Sequence, residues 1–175
     1  MSEFWVFAYG SLMWRPGFDS AEQQTARLFG YHRSLCIYSH IYRGTQERPG
    51  LVMGLDVGGS CLGVAYRIAD TERATVHAYL TQRELITPVY FERFLQIRLA
   101  DGRKVAALAY VADRKHAQYA GQLDPHALLA LVRQGSGAAG SNADYVRSTF
   151  GHLRKLGIED RLLGWLDSAL EPSSG

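Results

Sequence analysis

The order of residue patterns along this chain predicts an α+β fold: a small mixed or antiparallel sheet curled towards a β-barrel, with flanking helices. Alternating, aromatic and β-branched segments come first, one helical segment interrupts them, and two further strand-like segments follow. The last third of the chain carries apolar residues at helical spacing. At 175 residues, we expect a single domain spanning residues 1–175.

The composition excludes several classes of protein. Hydrophobic residues make up 47% and charged residues 21%, which is typical of a soluble globular domain. A net charge of +2 without a basic run argues against a nucleic-acid partner. No apolar run is long enough to span a membrane, and the first residues do not resemble a signal peptide. Cys36 and Cys61 are too few for a disulfide framework, so we expect a cytoplasmic location.

Strand-like patterns precede and follow a single helical segment. The predicted strands span residues 4–9, two segments within 25–42 separated near Gly30, then 51–57, 61–68, 89–99 and 104–111. Residues 19–24 are polar and predict a loop. The sequence 58–60, Gly-Gly-Ser, predicts a hairpin turn, and Asp101-Gly102 predicts a second one.

Four helices are predicted from their caps and their apolar spacing. The first runs from Glu72 to Glu84, with Asp70 or Thr71 as its cap. The second begins with Asp124 as its cap and Pro125 in its first turn. Ser141 caps the third, and a final amphipathic helix carries leucines at 162, 166 and 170. Residues 172–175 are expected to fray.

The stretch from Phe7 to Phe18 is the first candidate binding site. A strand ends at Tyr9, and Gly10 and Ser11 leave backbone N–H groups without ladder partners. If these groups converge, they form a concave anion site, and glycine lets a ligand approach the main chain. The residues by themselves favour an ordinary strand-ending turn over a binding site, because Gly and Ser are common in turns.

Two further residues carry chemistry. Glu84 ends the first predicted helix, where the helix dipole disfavours a carboxylate and raises its proton affinity, as suits a general base. A salt bridge from Glu84 to Arg83 or Arg93 is the alternative. Tyr145 follows a glycine-rich stretch, 135–140, which we interpret as a loop at the site. Its hydroxyl can reach a ligand, or the ring can pack against the preceding helix.

Neither a metal site nor a nucleotide site is expected. His32, Cys36 and His40 repeat every four residues, but on a strand such neighbours lie about 13 Å apart, too far for one zinc ion. Gly-rich phosphate-binding motifs are missing from the sequence, so no cofactor is predicted. A cysteine nucleophile at Cys36 or Cys61 stays open, although both lie in apolar runs typical of buried cysteines.

These motifs together resemble the ChaC-type γ-glutamylcyclotransferases over nearly the whole chain. The N-terminal signature is Tyr9-Gly10-Ser11-Leu12, continuing through Met-Trp-Arg-Pro-Gly-Phe to position 18. Further matching stretches, in the family's order, are Gly30-Tyr31-His32-Arg33, Arg43-Gly44-Thr45, Gly63-Val64-Ala65-Tyr66, Tyr79-Leu80 with Arg83-Glu84, and Gly137, Gly140, Asn142 and Tyr145. After Glu84, Leu85 to Tyr90 stands where many members have Lys and Gly-Gly-Tyr.

The resemblance implies a small β-barrel enzyme that cleaves glutathione, a small-molecule substrate, into 5-oxoproline and cysteinylglycine without a cofactor. It places Tyr9, Gly10, Ser11 and Leu12 at the glutamyl end of the substrate and makes Glu84 the acid and base. Tyr145 is a further candidate substrate contact. Two alternatives remain: a cyclotransferase for other γ-glutamyl amines or amino acids, and a non-catalytic module that binds γ-glutamyl ligands.

Overall fold

A five-stranded closed barrel accompanied by four helices confirms the predicted α+β barrel fold. The computed structural model describes residues 2–172, so the tail predicted to fray lies outside the described residues apart from Pro172. The barrel strands are β1 (Phe4–Ala8), β2 (Glu22–Ser39), β3 (Gly50–Ile68), β4 (Tyr90–Leu99) and β5 (Lys104–Ala112). The helices are α1 (Arg73–Glu84), α2 (Pro125–Gln134), α3 (Asn142–Lys155) and α4 (Arg161–Leu170). Around the barrel the strand order is β1-β3-β2-β4-β5.

The chain divides into two compact units. The first contains the residues up to Ser34 together with Gly54–His116, and the second contains Leu35–Met53 together with the chain from Ala117 onward. The expectation of one domain over residues 1–175 stays a prediction. No helix among residues 2–172 is long and apolar enough to cross a membrane.

In the first unit, β1 is buried along its whole length and has a strand neighbour on each side. It pairs antiparallel with β3, from Phe4 opposite Ile68 to Ala8 opposite Val64. It also pairs in parallel with β5, which closes the barrel. All five β1 side chains are buried, so the strand that leads into the Gly10-Ser11 turn is fixed by the core. The β4–β5 hairpin turns at Asp101-Gly102 as predicted.

The two long strands differ from the prediction. β3 runs without interruption from Gly50 to Ile68, so the hairpin turn predicted at 58–60 is wrong. Gly58 and Gly59 have φ values of 112° and 66°, which suit a tight turn and equally suit a local distortion inside a strand. β2 is likewise continuous, and Gly30, with φ of 92°, distorts it without ending it. β2 also starts inside the predicted polar loop, at Glu22.

The predicted cap of α1 is also wrong. Neither Asp70 nor Thr71 caps the helix; these residues form a 3-10 turn with Glu72, and α1 follows without a side-chain cap. The turn's own bond, from the Glu72 N–H to the Ala69 carbonyl at 2.9 Å, replaces the cap. The last residue of α1 is Glu84, as predicted.

In the second unit, the helix caps follow the sequence. The Asp124 carboxylate accepts from the backbone N–H groups of His126 and Ala127, and the Ser141 hydroxyl accepts from that of Asp144. The glycine-rich stretch forms a small hairpin of β6 (Ser136–Gly137) and β7 (Gly140–Ser141). A Cβ at Gly137 would lie 2.3 Å from the Ile41 carbonyl oxygen, so glycine is required where this hairpin meets the loop after β2.

Candidate active site

The turn after β1 begins where the strand ladder ends. Gly10 precedes a single 3-10 turn, Ser11–Met13, and the Gly10 carbonyl accepts from the Met13 N–H at 2.9 Å. Tyr9, Gly10 and Leu12 are buried, and Ser11 is partly exposed. The predicted strand-ending turn is therefore present as a compact, well-packed loop.

The backbone N–H groups of this turn define its chemistry. The first N–H groups of a helical turn have no partner within the turn. Among residues 2–172, no acceptor within hydrogen-bond distance meets the N–H groups of Gly10, Ser11 and Leu12. Buried backbone donors without partners are rare in native proteins. Three successive N–H groups of this kind are suited to an anionic or strongly polar ligand oxygen.

Arg33 and Tyr66 hold the carbonyl side of the same turn. The Arg33 Nε donates to the Tyr9 carbonyl at 2.6 Å, and its Nη2 donates to the Leu62 carbonyl at 2.7 Å. The Tyr66 hydroxyl lies 2.9 Å from the carbonyl oxygen of Leu12 and 2.8 Å from that of Met13, so its one proton is shared between them. Burial raises the pKa of Tyr66 to about 12, which keeps that donor protonated at neutral pH. A trans peptide points its C=O and N–H in opposite directions, so the Arg33 bond to the Tyr9 carbonyl also orients the Gly10 N–H.

Arg83 joins the turn to the last turn of α1. Its Nη2 donates to the Ser11 hydroxyl at 3.0 Å, and its Nη1 donates to the Arg15 carbonyl at 2.6 Å. The same Nη1 lies 3.0 Å from the Tyr79 hydroxyl. Arg83 Nε is 3.4 Å from the Glu84 Oε1. A single guanidinium thus contacts both the predicted substrate turn and the predicted acid–base residue.

Glu84 lies in a largely desolvated position. Its side chain is only 18% exposed. Burial raises the pKa of Glu84 above the ordinary carboxyl value, and the nearby Arg83 charge opposes part of that rise. From the sequence, we expected the helix dipole to raise the proton affinity of Glu84. In the structure, desolvation is the larger cause. A carboxyl group whose pKa moves towards neutrality can both accept and return a proton.

Tyr145 belongs to the second unit. Its hydroxyl accepts from the Met53 N–H at 2.9 Å, and the Arg43 guanidinium lies 5.4 Å from its ring centroid. Nearby, Asn142 is completely buried and both accepts from and donates to the backbone of Leu51, at 2.8 Å each. Tyr145 and Asn142 therefore fasten α3 to the start of β3. The predicted substrate contact of Tyr145 stays a prediction.

The cysteines and the candidate metal ligands contribute no reactive centre to the described part of the chain. Cys36 and Cys61 are free thiols, with 0% and 2% exposure. No group of three or more His, Cys, Asp or Glu side chains within residues 2–172 is placed to hold a metal ion. The groups that the structure places at the turn are the backbone N–H groups and Arg83, which also contacts Glu84.

Comparison with known sequences decides the family. The family described as ChaC-like protein matches residues 4–171, which is almost the whole chain. The chain belongs to the ChaC-like family. This ChaC-like protein is 37% identical over 156 residues to the Escherichia coli K12 glutathione-specific γ-glutamylcyclotransferase, covering 89% of this chain and 68% of that one.

A human relative and a solved structure are also similar to this ChaC-like protein. Human glutathione-specific γ-glutamylcyclotransferase 1 is 30% identical over 146 residues, covering 81% of this chain and 66% of the relative. The crystal structure of a yeast γ-glutamyl cyclotransferase specific to glutathione superposes with a TM-score of 0.86 at 19% identity. That alignment covers 97% of this chain and 96% of the yeast chain, and it shows a shared fold.

Sequence reasoning singled out the turn and Glu84 but missed the side chains that hold them. Arg33, Tyr66 and Arg83 all lie within the stretches that resemble the family; Arg83 was predicted only as a possible salt-bridge partner of Glu84, a contact that the structure confirms, and no role was assigned to Arg33 or Tyr66. Their partners lie 24, 54 and 72 positions away in the chain, at Tyr9, Leu12 and Ser11. A pattern along the sequence carries no direct signal for contacts of such separation.

Proposed function

We propose that this ChaC-like protein is a γ-glutamylcyclotransferase that converts glutathione into 5-oxoproline and cysteinylglycine, with Glu84 as general acid and base. The observation that carries the proposal is the chain of contacts from Ser11 through Arg83 to the largely desolvated Glu84, in a turn with three N–H groups without acceptors among residues 2–172. The names of the E. coli and human relatives support glutathione as the substrate.

The reaction uses the substrate's own nucleophile. The α-amine of the glutamyl group attacks its γ-carbonyl carbon, forming the new C–N bond of a five-membered lactam. The amide bond to cysteine then breaks, and the cysteinylglycine amine leaves with one added proton. Holding amine and carbonyl together supplies much of the acceleration, since effective molarities of well-oriented intramolecular reactions reach about 10⁵–10⁸ M. Neither the thiols nor a cofactor takes part.

Glu84 moves the protons in this scheme. The glutamyl amine arrives as an ammonium ion, so a base must remove a proton before it can attack. Glu84 takes that proton and later gives one to the leaving amine, a role worth about 10²–10⁴-fold in rate. Burial raises the pKa of Glu84, which favours its acting as an acid as well as a base. The Arg83 charge opposes part of that rise.

The turn binds the α-carboxylate of the glutamyl group. We assign this carboxylate to the N–H groups of Gly10, Ser11 and Leu12, with Tyr9 packing beside it. N–H groups fixed in advance can also stabilise the oxyanion that develops on the γ-carbonyl oxygen. Tyr145 is retained as a predicted substrate contact. We place the reaction in the cytoplasm, in keeping with two free thiols and with glutathione as substrate.

The decisive experiment incubates purified Glu84→Gln protein with glutathione and measures 5-oxoproline by mass spectrometry. Turnover should fall by at least about 10²-fold while calorimetric binding of glutathione persists. Glu72→Gln is the matched control, because it removes an exposed carboxylate just before the other end of α1. Near-normal release of 5-oxoproline by Glu84→Gln refutes the assignment. A parallel panel of γ-glutamyl amines and amino acids separates glutathione specificity from broader cyclotransferase activity.

A further inference from the structure

A row of three cations crosses the outer face of the barrel. In the β2–β4 register Arg27 lies opposite Arg98, and in the β4–β5 register Arg98 lies opposite Lys104. Residues directly opposite each other in an antiparallel pair have Cβ atoms about 4.5–5.5 Å apart and point to the same face. All three side chains are exposed, while the neighbouring Leu28 and Leu99 are buried. The cationic row therefore points away from the barrel core.

This arrangement is unfavourable unless an anion is present. Like charges directly opposite each other destabilise a sheet. No ion pair of the described residues includes Arg27, Arg98 or Lys104. The nearby carboxylates are already paired: Glu22 contacts Arg67 and Arg103, and Asp101 contacts Arg103. Nothing in the described part of the first unit neutralises the row.

A groove of about 500 Å³ lies beside two members of the row, and its lining includes Arg27 and Arg98 but neither Lys104 nor a carboxylate. Two lining residues fix the guanidinium groups. Arg27 Nη1 donates to the Ser60 hydroxyl at 3.0 Å, and the Arg98 guanidinium lies 5.7 Å from the ring centroid of Phe29. Both cations are thus held in place beside a concave surface. The groove shares no residue with the turn at 9–12 or with Glu84.

We propose that this groove is an anion-binding site, separate from the proposed substrate site, that takes a small molecule carrying adjacent phosphate groups. Neighbouring strands lie about 4.8 Å apart, so the row offers cations at intervals that suit successive phosphates of an oligophosphate. Arginine binds phosphate oxygens through paired N–H donors, and the Ser60 hydroxyl lies within reach of the same oxygens. A diphosphate therefore binds more tightly than a single phosphate.

Titration calorimetry with inorganic pyrophosphate and with orthophosphate tests the site at fixed ionic strength. We expect saturable binding of one pyrophosphate per chain, at higher affinity than orthophosphate. Arg98→Gln should weaken pyrophosphate binding by about tenfold or more, because it removes the central cation. Arg93→Gln is the matched control: it removes the same charge from the same strand, at a position outside the groove.

Thermal unfolding gives a second readout that is independent of activity. Without anion, Arg98→Gln should unfold at a higher temperature than Arg93→Gln, because it relieves the repulsion in the row. At one fixed concentration, pyrophosphate should raise the midpoint of the wild type and of Arg93→Gln by more than that of Arg98→Gln. Equal responses of the two variants, or non-saturable binding to all proteins, would show that the row is only a solvated cationic surface and would overturn the proposal. Binding of an acidic protein to the row, without any binding of pyrophosphate, would overturn the proposal as well.

Discussion

Replacing Arg83 with methionine tests how the turn and the acid–base residue are coupled. The substitution keeps most of the aliphatic stem and removes the guanidinium, with its bonds to the Arg15 carbonyl, the Tyr79 hydroxyl and the Ser11 hydroxyl. Each such bond contributes about 0.5–1.5 kcal/mol to stability. The side chain is a quarter exposed, so we expect the free energy of unfolding to fall by about 2–3 kcal/mol.

The same substitution changes the acid–base chemistry. The Arg83 charge lowers the pKa of Glu84, so its removal lets burial raise that pKa further. If Glu84 must be ionised to accept the first proton, the acid limb of the kcat/KM profile moves to higher pH. The profile is measured from 5-oxoproline release between about pH 5 and 9, with unfolding by urea followed in the same buffers.

Arg73→Met is the control for this test. It removes a charge from the opposite end of α1, where the guanidinium lies over the Phe4 ring, far along the helix from Glu84. It should leave the acid limb unmoved. Superimposable pH profiles of Arg83→Met and Arg73→Met would show that Arg83 does not influence the pKa of Glu84. Unfolding of Arg83→Met at the wild-type urea concentration would show that its hydrogen bonds do not stabilise the fold.

Three other substitutions have expected outcomes that depend on burial. Burial raises the folded-state pKa of Glu84, so the protonated carboxyl stabilises the fold at low pH and this contribution is lost as the pH rises through that pKa. In urea titrations between about pH 4 and 8, Glu84→Gln should therefore gain stability relative to the wild type as the pH rises. A stability difference that does not change with pH would contradict this. Tyr66→Phe leaves two carbonyls of the turn without their donor, so it should lower the free energy of unfolding by about 1–3 kcal/mol in denaturant and reduce turnover. Unchanged stability and turnover would show that the turn does not depend on the Tyr66 hydroxyl. Asn142→Ala removes both bonds to Leu51 at a fully buried position and should cost about 2–4 kcal/mol by calorimetry, a figure that a loss below about 0.5 kcal/mol would disprove.

Local signals predicted those elements whose ends are marked by local chemistry. Asp124 followed by proline predicted the start of α2, and the alternation of residues around Asp101-Gly102 predicted the β4–β5 hairpin. Gly58-Gly59 led to the wrong prediction of a hairpin turn, because positive φ occurs both in a tight turn and in a distortion within a strand. The position of β3 between β1 and β2 in the barrel distinguishes the two, and strand neighbours so distant in sequence leave no local signal.

The candidate site divides in the same way. The turn at Gly10 and the position of Glu84 at a helix end could be predicted, because each belongs to a short segment with its own signature. The raised pKa of Glu84 has desolvation as its main cause, which depends on what covers the side chain. The roles of Arg33 and Tyr66 depend on which carbonyl each one faces, and the fold alone determines that.

The pairing of β1 with both β3 and β5 has a consequence for synthesis of the chain. During translation Phe4–Ala8 leaves the ribosome before its parallel neighbour, Lys104–Ala112, which is made about a hundred residues later. Until then the apolar residues of Phe4–Ala8 lack one of their two strand neighbours. Contacts so distant in sequence form slowly. The nascent chain therefore passes through an interval in which the apolar strand Phe4–Ala8 lacks its parallel neighbour and is exposed to aggregation.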